Sequence, residues 1–160
     1  MNRIADAFVG GWQVSVVPSL HTGFPLTIFA ADASGTGSYG ARADCVAPPH
    51  VFGKVPASVN GQFIGYQWFD PNSYATPSPG HFGSCGVGVV RGPGLTTVDA
   101  TLMKAFKFGE TRDLEFRAEA TNFTNTTILN APGVGVGPLL GIIQQSQGER
   151  NIQFALKLHF

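Results

Sequence analysis

RNIQFALKLHF, residues Arg150 to Phe160, decides the fold of this chain. Ile152, Phe154, Leu156, Leu158 and Phe160 take every second position, and Asn151, Gln153, Ala155, Lys157 and His159 lie between them, all polar except the alanine. Successive side chains of a strand point to opposite faces, so the segment is a ribbon with one apolar and one polar side. A strand of about ten residues, rising about 3.3 Å per residue and tilted by about 45°, climbs roughly 23 Å, the height of the apolar band of a membrane barrel. Phe160 puts an aromatic where such a strand meets the membrane interface. A half-buried strand of a soluble sandwich would show the same alternation, so the rest of the chain has to choose.

Composition leans the same way. Only 12% of the 160 residues are charged, about half the ~25% usual for soluble domains. Gly (21) and Phe (13) are abundant, which suits an all-β protein with an apolar outer face better than a helical bundle. The formal net charge is zero, so nucleic acid, which calls for a basic surface, is not an expected partner. No run approaches the ~18 apolar residues of a transmembrane helix. The opening MNRIADAFVGGW lacks the apolar stretch of a secretory signal, and Met1 to Ala7 read as a short connector.

Upstream of the terminal strand, the alternation recurs three times. Trp12, Val14, Val16, Pro18 and Leu20 alternate with Gln13, Ser15, Val17, Ser19 and His21. Phe24 to Ala30 extends this strand, giving residues 11–29 with a bulge or break expected at Pro18, which lacks a ladder donor. Val98, Ala100, Leu102, Phe106 and Phe108 give a strand over 96–108, with Lys104 on the apolar side near one end, its stem expected to snorkel to an interface. After a tight turn at Gly109 to Arg112, Leu114, Phe116, Ala118 and Ala120 oppose Glu115, Arg117 and Glu119 in a strand over 113–123. The last strand covers 150–160.

Between these strands lie residues 31–94, rich in Pro, Gly and Ser, read as one long, partly structured extracellular loop. Within it, QFIGYQWF (Gln62 to Phe69) is either a short strand or a turn packed by its aromatics. Asn125 to Gln147 form a second loop. The short turn and the chain end fall on one side of a membrane and both longer loops on the other, which is the asymmetry of outer-membrane barrels. The expected fold is therefore all-β: an antiparallel meander of about four long strands forming part of a transmembrane β-barrel. Asp99, Glu115, Arg117, Glu119, Gln153 and Lys157 are expected to face its lumen. Trp12, Phe106 and Phe108 are expected as interface aromatics, with lipid against the apolar side.

No reactive constellation emerges, and an enzyme is not expected. Gly133 to Gly141 (GVGVGPLLG) lacks the Lys-Ser/Thr ending of a phosphate loop. His21, His50, His81 and His159 stand at no metal-ligand spacing, no paired acid and base suggests itself, and no nucleophile elbow is present. Neither cofactor nor metal is expected. Asn122 and Asn125 begin glycosylation acceptor triplets that a bacterial setting leaves idle. The loop aromatics Phe52, Phe63, Tyr66, Trp68, Phe69 and Tyr74 either pack the loop against itself or offer rings for sugars to stack on. Cys45 and Cys85 form a loop staple in an oxidising compartment or remain free thiols in a reducing one; for an exported chain the disulfide is the expectation.

Several stretches together resemble a known family. GGWQVS (Gly10 to Ser15) followed by TGFPLT (Thr22 to Thr27), RGPG (Arg91 to Gly94) with VDATLMKAF (Val98 to Phe106), LEFRAEATNFTN (Leu114 to Asn125) and the final ALKLHF, with WFDPNSY near Trp68 in the loop, are similar to the C-terminal barrel strands of TonB-dependent outer-membrane receptors of the Oar-like type. The resemblance implies a large barrel of 22 strands in such receptors, an N-terminal plug, energy from the TonB system and uptake of a bulky nutrient such as an iron chelate or a glycan. It implies that Phe154, Leu156, Leu158 and Phe160 form the signal read by the barrel-assembly machinery. On this reading the chain is the last four strands of a longer receptor, completed by the receptor's other strands and plug, or else a truncated reading frame. The alternative from a different class is a soluble, secreted β-sandwich that binds carbohydrate.

Overall fold

The structure, a computed structural model, describes residues 9–109 and 111–160. The connector expected over Met1 to Ala7 and residue Glu110 of the expected tight turn lie outside the described residues. In chain order the strands are β1 (Trp12–His21), β2 (Pro25–Leu26), β3 (Asp44–Cys45), β4 (Val51–Val59), β5 (Gln62–Phe69), β6 (Tyr74–Ala75), β7 (Val90–Arg91), β8 (Leu95–Lys107), β9 (Asp113–Thr121), β10 (Ile128–Leu129), β11 (Ile142–Ile143), β12 (Ser146–Gln147) and β13 (Asn151–His159). The chain divides into two compact units.

The first unit comprises Met1–Leu20, Thr96–Thr127 and Gly148–Phe160. Its long strands form one four-stranded sheet in the order β1-β8-β9-β13. β8 and β13 each run antiparallel to β9, with Leu102 opposite Ala118, Phe106 opposite Leu114, Phe154 opposite Ala118 and Leu158 opposite Leu114. Three of the four strands lie within a residue or two of their expected bounds. The first differs: β1 runs unbroken through Pro18 and ends at His21, well short of 29. Within this chain β1 pairs on one side only, with β8, so the ladder of this sheet does not require a donor from Pro18 on its other side.

The second unit comprises His21–Leu95 and Ile128–Gln147. It is more ordered than the expected loop. β4 and β5 pair as a hairpin, and β11 adds to β5 to give a three-stranded sheet in the order β11-β5-β4. The hairpin turns at Asn60 and Gly61, both at positive φ (51° and 77°), as a two-residue turn matched to strand twist requires. Gly65 is obligatory for the third strand: a Cβ there would lie 2.3 Å from the Ile143 carbonyl oxygen. Short pairs β2–β7, β3–β6 and β10–β12 complete the unit. Its core is Ile28, Ala43, Phe69, Tyr74, Cys85, Val90 and Leu140, and Cys45 and Cys85 are joined in a disulfide.

Candidate functional site: a membrane-facing sheet and a stapled loop unit

The register of the four-stranded sheet sorts its side chains. Ala100, Leu102, Lys104 and Phe106 of β8 stand opposite Ala120, Ala118, Phe116 and Leu114 of β9, which in turn face Ile152, Phe154, Leu156 and Leu158 of β13. Trp12 of β1 joins this face, its ring edge-on to Phe116 at 6.5 Å, and Phe116 stacks on Phe154 at 6.3 Å. The result is a continuous apolar surface of aliphatic and aromatic groups. It is also open: Val14 is 70% exposed, Phe154 72% and Leu156 70%. A soluble sandwich would cover such a face with a second sheet, and this unit's long strands all lie in one layer. Side chains this apolar gain free energy by leaving water, so a face of this kind matches acyl chains.

Lys104 stands within that face and departs from its expected behaviour. It does not reach outward. It is 3% exposed, and its ammonium donates to the Gly10 carbonyl at 2.8 Å. The same nitrogen sits 4.7 Å from the Trp12 ring centroid and 5.1 Å from that of Phe106. Two ring faces and a carbonyl replace the water that a lysine keeps when it snorkels. Trp12 and Phe106 are thus held by a cation as well as by their position; Phe108, past the end of β8, is exposed.

The opposite face carries the polar residues. Glu119 faces Thr101 and Gln153, Glu115 faces Ala105 and Lys157, and Arg117 faces Met103 and Ala155. Arg117 also forms an ion pair with Glu119 on its own strand. Asp99 shares this side of β8 by alternation and has a further task. Its carboxylate accepts the backbone N–H of Asn122 at 2.8 Å. Asn122, at φ 48°, is buried, and its side-chain amide donates to the Thr126 and Gly148 carbonyls. The TNFTN motif is therefore a hydrogen-bonded corner after β9, and the Asn122 amide is fully occupied.

In the loop unit, the two motifs TGFPLT and RGPG meet. β2 pairs with β7 through Pro25 opposite Arg91 and Leu26 opposite Val90. Gly92 donates its N–H to the Phe24 carbonyl at 2.9 Å, and the Arg91 guanidinium donates to the Gly23 carbonyl at 3.1 Å. A Cβ on Gly23 would lie 1.7 Å from the Gly92 carbonyl oxygen, so no other residue fits there. Nothing in either motif alone reveals this pairing across nearly seventy positions.

The loop aromatics divide between the two expectations. Phe69 and Tyr74 are buried in the core, their rings edge-on at 5.6 Å, and Trp68 donates its indole N–H to the Arg91 carbonyl at 2.7 Å. Phe63 stays exposed and meets the half-buried Tyr66 edge-on at 5.3 Å, and Phe52 is exposed beside His50. The Gly133 to Gly141 stretch is a turn that leads into β11, closed by the Gly141 N–H on the Gly133 carbonyl at 2.8 Å. Asp32 organises a tight loop by accepting from the Ser34 hydroxyl at 2.6 Å and from the Gly37 and Ser38 N–H groups at 2.8 and 3.1 Å. The Ser34 hydroxyl, with these amides, holds the Asp32 carboxyl below its ordinary range because all of them favour the ionised form. Among the described residues, no three His, Cys, Asp or Glu side chains gather as a metal site would need.

A family model described as the outer membrane beta barrel domain matches residues 1–153. The chain belongs to this family. No curated protein and no solved structure matches it. Membership of the outer membrane beta barrel domain family fixes the location, the outer membrane, and gives the single-layer sheet its physical setting. The four long strands are barrel wall, with residues alternating across it. The alternative of a soluble sandwich is set aside by the same match and by the uncovered apolar face.

Proposed function

We propose that the chain forms part of the barrel of a TonB-dependent receptor of the Oar-like type, which takes up a bulky nutrient across the outer membrane without catalysing a reaction. The observation that carries this reading is the sheet register, which lays TonB-receptor-like stretches of β8, β9 and β13 side by side as one wall. Lipid covers the apolar face, and Asp99, Glu115, Arg117, Glu119, Gln153 and Lys157 line the channel. Eight strands is the usual minimum for a closed barrel, so the wall is completed by further strands of a parent receptor, which pair with β1 and β13. A plug in that receptor couples to the TonB system. Phe154, Leu156, Leu158 and Phe160 are the strand read by the barrel-assembly machinery.

Two measurements on cells of the native host test this. Site-specific cross-linking of the receptor in its outer membrane is expected to capture the TonB protein; a receptor present at normal levels that never cross-links overturns the transport reading. Deletion of Phe160 is expected to lower the outer-membrane population severalfold, and unchanged assembly removes the proposed signal.

A further inference from the structure

Three depressions in the loop unit adjoin one another. The first, about 280 Å³, is lined by residues that include Phe24, Asn130 and Gln147. It shares Asn130 and Ala131 with a second of about 640 Å³, which also contains Gln144 and Gln145. These two glutamines line a third, of about 190 Å³, together with Phe63 and Tyr66. Not one Asp, Glu, Lys, Arg or His lines any of the three. The segment running through all of them, residues 128–147, contains no charged residue at all. Lys54 holds its ammonium 4.7 Å from the Tyr66 ring centroid, yet lines none of them.

The chemistry of this surface is specific. A side-chain amide both donates and accepts, so Asn130, Gln144 and Gln145 match hydroxyl groups, which do the same. Exposed rings such as Phe24 and Phe63 present flat apolar faces to the C–H side of a pyranose. An anionic cargo, such as a ferric chelate with ionised oxygens or a phosphorylated compound, needs cations to offset its desolvation, and no Lys, Arg or His lines the three depressions. We propose that this surface is a recognition site for an uncharged oligosaccharide, the three adjoining depressions taking successive sugar residues. The inference rests on the receptor reading, because it names the class of that receptor's cargo.

The test uses outer-membrane vesicles from cells that produce the protein, applied to an array of neutral and anionic oligosaccharides, with vesicles from a deletion strain as background. Neutral glycans are expected to bind, at least tenfold more weakly after Phe63→Ala or Gln145→Ala; both positions are exposed, so the unit keeps its core. An array that stays dark, binding confined to uronate, sialylated or phosphorylated glycans, or binding that neither variant weakens overturns the site. The TonB cross-link is read separately. A dark array beside an intact cross-link overturns the glycan site alone, whereas a lit array without the cross-link leaves the site standing and overturns transport.

Discussion

The sheet and the loop unit solve opposite problems with the same kinds of residue. In the sheet, Phe154, Leu156 and Val14 stay exposed on one face, and order comes from backbone ladders and a repeat of two. In the loop unit, Phe69 and Ile28 are wholly buried, the strands are mostly two residues long, and a disulfide spans 40 positions. The difference shows what each solvent demands. Lipid accepts an uncovered apolar face but no unpaired backbone, so periodicity suffices. Water demands a core, and this unit adds a covalent staple to its small one.

The largest way to break that contrast is to remove the staple. Cys45→Ser with Cys85→Ser releases a closed loop of 40 residues' separation, which by chain entropy is worth about 4 kcal/mol. The loop unit is expected to become protease-sensitive in intact outer membranes while the strands remain protected. Equal protection in wild type and variant shows that the small core of the loop unit holds without help.

A charge on the open face attacks the other half of the comparison. Phe154→Arg puts a guanidinium on the face proposed to meet acyl chains and is expected to cost about 2–4 kcal/mol near the bilayer centre, less toward an interface. Gln153→Arg, one residue away on the polar face, is expected to cost little. Unfolding of the assembled barrel in lipid by urea measures both. Equal costs mean that the two faces do not see different solvents.

These two halves were also unequally legible in the sequence. The repeat of two in Ile152 to Phe160 and in Leu114 to Ala120 is a local signal, so strand bounds and the facing of Glu115 or Phe116 follow from neighbours alone. β4 had no such signal: VFGKVPASV carries Gly53 and Pro56, and its pairing with β5 slips between Val51 and Val55 and again between Ala57 and Ser58. The β2–β7 pairing depends on Gly23 backing onto Gly92, a contact made by the absence of side chains, which leaves no pattern to read. The amide-lined depressions are equally hidden, since Phe63 and Gln144 come together only through the β5–β11 pairing and Asn130 and Gln145 only through the β10–β12 pairing. Alternation alone puts Lys104 on the face it occupies, but its partner, the Gly10 carbonyl, is a backbone group that any residue supplies.

Lys104 sharpens the comparison at an intermediate scale. Lys104→Met preserves the stem and removes the donor, leaving the Gly10 carbonyl and the Trp12 face without their cation. The expected loss is about 1–3 kcal/mol, read from the same urea unfolding. A snorkelling lysine would give almost none, so a null result restores the outward-reaching geometry.

The smallest effect sits in the loop core. Among the described residues, the Tyr74 hydroxyl is a buried polar atom without a hydrogen-bond partner, and burial raises its ionisation above the ordinary 10.0. Tyr74→Phe removes the unmet group and keeps the ring against Phe69, so the variant is expected to be neutral or more stable by up to about 1 kcal/mol at neutral pH. Alkali separates the two further. Above pH 10 the unfolded phenol has released its proton while the folded one still holds it, so the wild type loses stability as pH rises. The loss is full-strength only between the ordinary and the raised ionisation, at no more than about 1.4 kcal/mol per pH unit. Below that window the proton stays on in both states, and this contribution is flat. Protease resistance of the loop unit from pH 8 to 11 should therefore fall more steeply in the wild type than in Tyr74→Phe. Parallel curves would mean that the hydroxyl is wetted, and the loop core less closed than its packing shows.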